Sequence, residues 1–250
     1  MKVTIITVAF NSASTIGDTL ASVASQTHPN IEHLVIDGNS TDATMDIVRR
    51  HGARVAKALS EPDRGIYDAM NKGLAMATGD LVGFLNADDV LNGPGAVAAL
   101  VEAASPGRDM VYADLVYVRA DDLGRVVRHW RSGPFRRAAL RLGWMPPHPT
   151  FYVRRDVLRS VGEFDTRLRI AADYDFMLRC LCRPSVDVGY LPQVLVRMRT
   201  GGASNANLKS LLRKSREDLT ALRRHRVGGW LTLIAKNLRK LPQFLGASWR

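Results

Sequence analysis

Short apolar runs alternate with amphipathic segments along the early part of the chain. Three runs, Val3 to Val8, Ile31 to Ile36 and Arg54 to Leu59, are short and rich in β-branched or aliphatic residues, which predicts strands. Between them, apolar residues recur at helical spacing as far as Val23 and again from Ala43 to Arg50. Strand, helix, strand, helix, strand at these spacings predicts an α/β fold, with a Rossmann-like, mostly parallel central sheet flanked by helices.

A fourth apolar run, Leu81 to Leu85, does not alternate, as expected for a strand that is covered on both faces. It is followed by Asn86, Asp88 and Asp89. Three oxygen-bearing side chains at the end of a buried strand are costly unless a cation meets them. Mg²⁺ and Mn²⁺ use a few protein oxygens and leave other positions to water and substrate phosphates. These residues therefore predict either a divalent metal site or an ordinary turn, in which Asn and Asp are common.

Polar residues also follow the first two predicted strands, at Thr7 to Asn11 and at Asp37 to Asp42. In open parallel α/β sheets, ligands bind beyond the carboxyl ends of the strands. We therefore expect these two clusters and Asn86 to Asp89 to line one cleft. The glycine-rich fingerprints of dinucleotide and ATP sites do not occur in the sequence, but a carboxylate such as Asp37 can accept the N–H groups of uracil or guanine.

The composition limits the class of protein. A chain of 250 residues that is 46% hydrophobic can bury a substantial core, most simply as one domain with an appendage. It has no run of roughly eighteen apolar residues, and its start lacks a signal-peptide pattern, so we expect a cytoplasmic protein without a transmembrane helix. Cys180 and Cys182 fall on different faces of a predicted helix, which argues against a disulfide.

The net charge of +11 is concentrated at the C-terminal end of the chain. From Leu208 onward there are eleven Lys and Arg residues against two acidic ones, so the preceding body is almost neutral. Such a local excess argues against nucleic acid as the partner. Residues 208–250 also place Leu and Ile at helical spacing on both sides of Gly228, which predicts a basic amphipathic helical tail. We expect this tail either to lie on an anionic membrane or to pack on the body or on a second copy of the chain.

The middle of the chain is less regular. Met110 to Val118 predicts a strand, with Arg125 to Trp130 as its hairpin partner. Trp144 to Phe151 contains three prolines and His148, and it is expected to form a rigid loop. A helix is predicted from about Asp173, whose carboxylate is either a helix cap or a catalytic group. Two strands and a glycine-rich loop are expected after this helix, at Val186 to Leu191, Val194 to Met198 and Thr200 to Asn205.

Five ordered motifs resemble those of family 2 glycosyltransferases with the GT-A fold. They are Thr4 to Asn11, Val35 to Thr44, Glu61 to Gly73, Gly79 to Asp89 and Ala172 to Phe176. Within this family the chain is most similar to bacterial enzymes that build extracellular polysaccharides or glycolipids, such as the colanic acid glycosyltransferase group. The resemblance covers roughly the first 200 residues, and five motifs in the right order are more specific than any one of them.

The resemblance implies an inverting hexosyl- or deoxyhexosyltransferase. Such an enzyme moves a sugar from a UDP-, GDP- or dTDP-sugar to a hydroxyl of a glycan or lipid-linked acceptor, and no nucleic acid takes part. The implied organisation is a catalytic domain over 1–207, with a nucleotide-sugar half over about 1–92 and an acceptor half over about 93–207, followed by the tail 208–250. The tail places the expected enzyme on the inner face of the cell membrane, with a homodimer through the C-terminal helices as the alternative. A sugar nucleotidyltransferase and a catalytically impaired sugar-nucleotide-binding partner are the other functions that stay open.

The resemblance also assigns residues position by position. The donor nucleotide is expected to contact Thr7, Ala9, Asn11, Asp37, Asp63, Arg64, Asn86 and Ala87. The expected ligands of Mg²⁺ or Mn²⁺ are Asp88 and Asn86, with Asp89 as a further ligand. The expected catalytic base is Asp173, and the substrate cleft is expected to include His148, Gly202 and Ser204.

Two positions depart from the family pattern. Asn86 stands where the first metal-binding carboxylate is usual, and its amide oxygen is an acceptor that carries no charge. Weaker metal binding is therefore expected, unless Asp89 compensates. Ala172 stands where a second acid often precedes the base.

Overall fold

A computed structural model describes residues 1–104, 107–201 and 208–239 of the chain. The strands in these ranges are β1 Val3–Ala9, β2 Ile31–Asp37, β3 Val55–Ser60, β4 Leu81–Phe84, β5 Val90–Leu91, β6 Met110–Arg119, β7 Asp122–Trp130, β8 Tyr152–Arg154 and β9 Val188–Arg199. The helices are α1 Ile16–Ala24, α2 Thr44–His51, α3 Ile66–Met76, α4 Ala96–Ala103, α5 Arg155–Val161, α6 Ala172–Leu181, α7 Leu208–Arg224 and α8 Trp230–Leu238. Short 3₁₀ helices cover Arg137–Leu142 and His148–Thr150.

The strands form one mixed sheet in the order β3-β2-β1-β4-β8-β6-β9-β5, with β7 attached to β6. The first four strands of this order are parallel, as the sequence predicts. The second half is mixed, because β8 runs antiparallel to both β4 and β6 while β9 runs parallel to β6. The prediction of two strands within 186–198 is wrong: β9 is continuous and follows β6 through an irregularity in register beside Asp114.

The register of the parallel strands brings their carboxyl ends to one edge of the sheet. Ala9 at the end of β1 pairs with Asp37 at the end of β2. Beyond the strands, the N–H of Gly38 donates to the Ala9 carbonyl at 2.9 Å, and the N–H of Ala87 donates to the Val8 carbonyl at 3.3 Å. The three polar clusters that follow β1, β2 and β4 therefore meet, as expected for an open α/β sheet.

Apolar residues cover both faces of the sheet. One cluster joins Ile6 of β1 to α3, α6 and α7, with Phe176 of α6 almost fully buried in it. The other cluster joins Ile5 of β1 to α1 and α4, with Leu100 of α4 fully buried. Adjacent residues of β1 thus serve opposite layers, which is the alternation that a strand imposes.

Helices α7 and α8 pack against the body through their inward faces. Leu222 of α7 and Leu233 of α8 are buried in the same apolar cluster as Phe176 of α6. At the end of α7, His225 Nε2 lies 2.9 Å from Oδ1 of the buried Asp175. The tail therefore packs on the body, which is one of the outcomes expected for it. Of the helices within the described ranges, none is both long enough and apolar enough to cross a bilayer.

The second tail helix, α8, rests on the turn that follows the 3₁₀ helix Arg137–Leu142. Gly143 in this turn has a φ of +72°, and a Cβ at this position would overlap the backbone N and Cα of Lys236. The Lys236 ammonium pairs with Asp218 of α7 at 2.7 Å and lies 3.3 Å from the centre of the Tyr174 ring. Glycine at position 143 therefore sets how closely α8 approaches the body.

Replacing Gly143 by Ala is expected to lower the free energy of unfolding by about 3–4 kcal/mol, because the methyl group strains a left-handed backbone and also overlaps a helix backbone. Urea denaturation measures this loss. Gly133→Ala is the matched control, since Gly133 has a φ of +68° and open space where its Cβ would be. Only the backbone strain of about 1–2 kcal/mol is expected there. Equal losses in the two variants would contradict the contact between Gly143 and α8.

Candidate active site

One wall of the cleft begins at Asp37, the last residue of β2. Its carboxylate is fully buried and accepts hydrogen bonds from the Ser40 N–H at 2.9 Å, the Ser40 hydroxyl at 2.5 Å and the Ser60 hydroxyl at 2.6 Å. A carboxylate has about four lone-pair sites, so three protein donors leave about one. Asp37 therefore fixes the loop after β2, and its expected contact with a nucleotide base stays a prediction.

The residues at the end of β1 and directly after it divide between the interior and the edge of the sheet. Thr7 is fully buried, and its hydroxyl lies 2.9 Å from Nε2 of His33, whose pKa burial lowers to about 4. The Thr7 side chain therefore fills the interior and does not face the cleft. Ala9 is buried as well. Asn11 lies at the edge, with φ +47°, and its Oδ1 accepts the N–H of Thr41 at 3.0 Å, which ties the loops after β1 and β2 together.

The loop before α3 lies against the turn after β2. A Cβ at Gly38 would overlap the Asp63 carboxylate, so glycine at this position allows the close approach. Asp63 Oδ1 accepts the N–H of Gly65 at 2.8 Å. The Arg64 side chain is 81% exposed and pairs with Asp68 at 2.9 Å, which raises the pKa of Arg64. The structure thus brings Asp63 against the turn after β2 and leaves the Arg64 guanidinium at the surface.

The turn after β4 concentrates acceptors in a small space. Asn86 Oδ1 is buried and has no hydrogen-bond partner among the described residues, while Asn86 Nδ2 lies 3.4 Å from Asp89 Oδ2. Burial raises the pKa of Asp88. Burial, together with the charge of Asp88, raises the pKa of Asp89 well above its ordinary value. The turn therefore holds two carboxyl groups and an amide oxygen that would all be stabilised by a cation.

These three residues fit a divalent metal with few protein ligands. Across the described ranges, no three His, Cys, Asp or Glu side chains are grouped as a closed metal cage requires. Mg²⁺ commonly binds one or two carboxylates and completes its shell with water and substrate phosphates. Asp88 and Asp89 are of this type, and the unpartnered oxygen of Asn86 supplies a neutral ligand.

Arg199, which sequence analysis did not identify, clamps this turn. Its Nη1 donates to the Asp88 carbonyl at 2.6 Å, its backbone N–H to Asp89 Oδ1 at 3.2 Å, and its Nη2 to Asp18 Oδ2 at 2.5 Å. Arg199 is only 8% exposed. It ends β9 in a stretch that also contains Arg197, and only the pairing of β9 in the sheet distinguishes the two arginines.

Asp173 lies in the first turn of α6. Its Oδ1 accepts the N–H of Tyr174 at 2.8 Å and lies 3.2 Å from the Tyr67 hydroxyl. The same hydroxyl lies 2.7 Å from the Ile170 carbonyl oxygen, so its single proton has two acceptors within reach. Burial, followed by the charge of Asp173, raises the pKa of Tyr67 well above its ordinary value. Tyr67 thus remains a neutral donor beside the carboxylate.

His148 lies in the proline-rich loop, within electrostatic reach of Asp173. Its ring stacks on Phe84 at 5.3 Å between centroids and meets Phe164 edge-on at 5.8 Å. Burial lowers the pKa of His148, and the charge of Asp173 opposes this shift. The ring is therefore neutral near pH 7, and its buried Nε2 has no partner among the described residues.

Tyr117 of β6 is within electrostatic reach of two acidic groups, Asp89 and Asp173. Burial raises its pKa, the charge of Arg128 lowers it, and the charges of both Asp89 and Asp173 raise it further. Arg128 covers the Tyr117 ring at 4.6 Å from its centre. The carboxylates of the turn after β4 and of the start of α6 are therefore both within electrostatic reach of one side chain. Gly202 and Ser204, which were expected at this cleft, lie outside the described residues.

Comparison with known proteins bears on the family. Residues 4–162 match the family model described as Glycosyl transferase family 2. The PGL/p-HBAD biosynthesis glycosyltransferase of Mycobacterium bovis (strain BCG / Pasteur 1173P2) is 33% identical over 202 residues, which cover 78% of this chain and 76% of that protein.

Two solved structures share the fold. S. aureus TarS 1–349 in complex with UDP-GlcNAc superposes with a TM-score of 0.68 and 21% identity, covering 99% of this chain and 72% of that one. The mannosyltransferase PcManGT from Pyrobaculum calidifontis, in complex with GDP-Man and Mn²⁺, also has a TM-score of 0.68 and 21% identity, covering 98% and 73%. The predicted GT-A fold is thereby confirmed.

Arg199→Gln is expected to lower the free energy of unfolding by about 2–3 kcal/mol, because it removes buried, charge-assisted donors from the Asp88 carbonyl and from Asp18. Chemical denaturation gives this value. Asp18→Asn is the control: it keeps a neutral acceptor for Arg199 at a side chain that is 54% exposed, so a loss below about 1 kcal/mol is expected. If the Arg199 variant is as stable as wild type, the clamp contributes nothing to the turn.

Proposed function

We propose, since this chain belongs to glycosyltransferase family 2, that it transfers a sugar from a nucleotide-sugar donor to a hydroxyl of a glycan or lipid-linked acceptor, with inversion at the anomeric carbon. The family match and the curated relative support glycosyltransferase activity in polysaccharide or glycolipid biosynthesis. The class of donor, the stereochemical course and the residues that act are our proposal.

The observation that most supports the proposal is that two acidic groups act on one hydroxyl. The charges of Asp89, after β4, and Asp173, at the start of α6, both raise the pKa of Tyr117. An enzyme of this class needs one acidic site that holds a cation for the leaving diphosphate and a second for the attacking hydroxyl. The two sites must lie near one substrate, and their common electrostatic effect on Tyr117 supports this arrangement.

The donor is proposed to lie along the edge formed by the loops after β1, β2 and β4. Asn11, Asp37 and Asp63 surround the expected position of the base, and Arg64 is exposed and long enough to swing from Asp68 towards a phosphate. UDP-, GDP- and dTDP-sugars all fit this scheme. The complexes of TarS with UDP-GlcNAc and of PcManGT with GDP-Man support a donor of this class.

A divalent cation is proposed as the cofactor, held by Asp88 and Asn86 with Asp89 beside them. When bound, Mg²⁺ or Mn²⁺ supplies the positive charge that neutralises the leaving diphosphate. The Mn²⁺ in the PcManGT complex supports this choice. Arg199 holds the turn in place through the Asp88 carbonyl and the Asp89 carboxylate.

Asp173 is proposed as the general base. It takes the proton of the acceptor hydroxyl while that oxygen forms a bond to the anomeric carbon and the bond from this carbon to the diphosphate oxygen breaks. Attack from the face opposite the leaving group inverts the anomeric configuration. The Tyr67 hydroxyl orients the carboxylate, and the neutral ring of His148 offers Nε2 to the donor phosphates or the acceptor.

The alternative functions have less support. A sugar nucleotidyltransferase is not favoured, because the family model covers residues 4–162 and the curated relative is described as a glycosyltransferase. A catalytically impaired partner protein was suggested by Asn86 alone. The unpartnered oxygen of this residue still suits a cation, so the substitution by itself does not favour that function.

Asp173→Asn is expected to lower kcat for sugar transfer by about 10²–10⁴-fold while donor binding persists, because only the proton acceptor is lost. A thermal-shift screen of UDP-, GDP- and dTDP-sugars with Mn²⁺ identifies the donor, and nucleotide release with acceptor present measures turnover. Asp156→Asn is the matched control, since Asp156 also lies in the first turn of a helix and accepts the N–H of the next residue. It is expected to keep wild-type turnover.

Three results would contradict the proposal. The first is an Asp173→Asn variant that turns over like wild type. The second is release of pyrophosphate in place of nucleoside diphosphate, which would indicate a nucleotidyltransferase. The third is turnover that EDTA leaves unchanged, which would remove the metal from the scheme.

We infer further that the outer face of α8 lies on an anionic membrane. Four large apolar side chains, Trp230, Leu231, Ile234 and Leu238, are 54–83% exposed and share one side of the helix by their spacing. The two acidic residues of the tail both point inward, Glu217 to the loop before α6 and Asp218 to Lys236. The tail has eleven basic residues after position 207 against these two acids, and such an excess of positive charge suits anionic lipid headgroups.

The double variant Leu231→Gln with Ile234→Gln is expected to reduce co-sedimentation with vesicles of phosphatidylcholine and phosphatidylglycerol by about tenfold or more, because each side chain contributes about 1–3 kcal/mol when buried. Its unfolding free energy should match that of wild type, since both side chains are exposed. Vesicles of phosphatidylcholine alone are the control and should bind weakly. A wild-type protein that ignores anionic vesicles and elutes as a dimer would assign this face to a second copy instead.

A further inference from the structure

Helix α6, which carries Asp173, begins without a capping side chain of its own. Its N-cap residue is Ala171, which has no side-chain acceptor. N–H groups at and ahead of a helix start lack intrahelical partners and need acceptors from elsewhere. The residue that supplies these acceptors therefore helps to set the position of Asp173, the proposed base.

The acceptor is Glu217 of α7. Its Oε2 accepts the N–H of Ile170 at 2.8 Å and the N–H of Ala171 at 3.0 Å, and its Oε1 accepts the N–H of Arg169 at 3.1 Å. Three consecutive N–H groups that converge on one carboxylate form an anion-binding nest. The negative charge also favours the positive end of the α6 dipole, and charge-assisted hydrogen bonds are stronger than neutral ones.

The same short segment is also held by α3. The Tyr67 hydroxyl lies 2.7 Å from the Ile170 carbonyl oxygen and 3.2 Å from Asp173 Oδ1. Tyr67 thus fixes the carbonyl and the carboxylate, whereas Glu217 fixes the amides that precede them. Residues 169–173 are therefore held between two helices that are far apart in the sequence.

Helix α7 is itself anchored at two positions that follow Glu217. Asp218, the next residue, is 3% exposed and pairs with Lys236 of α8. Further along α7, Arg224 lies 3.0 Å from Oδ1 of Asp175 in α6. Glu217 therefore enters the nest from a fixed position and not from a freely moving surface helix.

We propose that Glu217 is a positioning residue for Asp173, an inference that rests on the proposed role of Asp173 as the base. Without this carboxylate, three N–H groups lose their acceptor, residues 169–171 rearrange, and Asp173 moves relative to the acceptor hydroxyl. A displacement of about 1 Å can cost on the order of 10²-fold in rate. The donor contacts proposed above lie on other loops, so the loss falls on kcat and not on donor binding.

Hydrogen–deuterium exchange tests the structural part of this proposal without any substrate. In Glu217→Ala, the amides of residues 169–171 should exchange at least about tenfold faster than in wild type, because their acceptor is gone. Glu217→Gln should fall between the two, since one amide oxygen replaces two charged ones. Glu163→Gln, at an exposed position before α6, is the control and should leave these rates unchanged. Unchanged exchange in Glu217→Ala would overturn the proposal.

Steady-state kinetics on the same variants test the functional part. Glu217→Ala should lower kcat about 10–100-fold with donor KM within about twofold of wild type, and Glu217→Gln should lose less. If the Ala variant does not fold, the Gln variant provides both measurements. Wild-type kcat in a variant with faster exchange, or an equal loss of kcat and donor affinity, would overturn the positioning role. A wild-type protein that transfers no sugar would instead overturn the proposed function.

Discussion

Carboxylates at the edge of a sheet are stable only where hydrogen bonds or cations replace the water that burial removes. Two acidic groups of this cleft meet that need within the protein: Asp37 through serine donors and Asp173 through a tyrosine hydroxyl. In the turn after β4 the need is not met, since burial raises the pKa of both Asp88 and Asp89 and the Asn86 Oδ1 has no partner among the described residues. The buried oxygen atoms that lack compensating partners are thus concentrated in the turn after β4, where the diphosphate and its cation are proposed to bind.

The mixed sheet explains how two kinds of chemistry meet at this point. Its parallel half presents three loops at one edge, which is the arrangement that suits a nucleotide. Its second half brings β6 and β9 alongside, so that the charges of both acidic groups reach Tyr117 and Arg199 holds the turn after β4. The tail then packs beside the proposed base. Helix α7 supplies Glu217 to the loop before α6, while α8 turns an apolar face outward. One helical pair therefore both supports the loop before the proposed base and exposes the apolar face that we propose to lie on a membrane.

Much of this arrangement follows from local sequence. The strands β1, β2 and β4 and the helix α2 were predictable because short β-branched runs and helical apolar spacing reflect burial directly. The meeting of the polar clusters was predictable too, since parallel strands end at one edge. The formation of one continuous strand, β9, in place of two was not predictable, because the register irregularity beside Asp114 depends on the neighbouring strand β6. Thr7 was expected at the donor pocket, but its side chain has the inward direction set by the strand pleat and by His33.

The sequence by itself determined the α/β class, the family, the acidic positions Asp88 and Asp173, and the basic, amphipathic character of the tail, because each depends on residue type and spacing along the chain. Only the tertiary structure decided what compensates those charges. Arg199 and Glu217 look like ordinary surface residues in the sequence. Arg199 lies more than about a hundred positions from its partner Asp88, and Glu217 lies about fifty positions from its partner Ala171. Hydrogen bonds between groups so far apart depend on how strands and helices pack, and local periodicity carries no information about that packing.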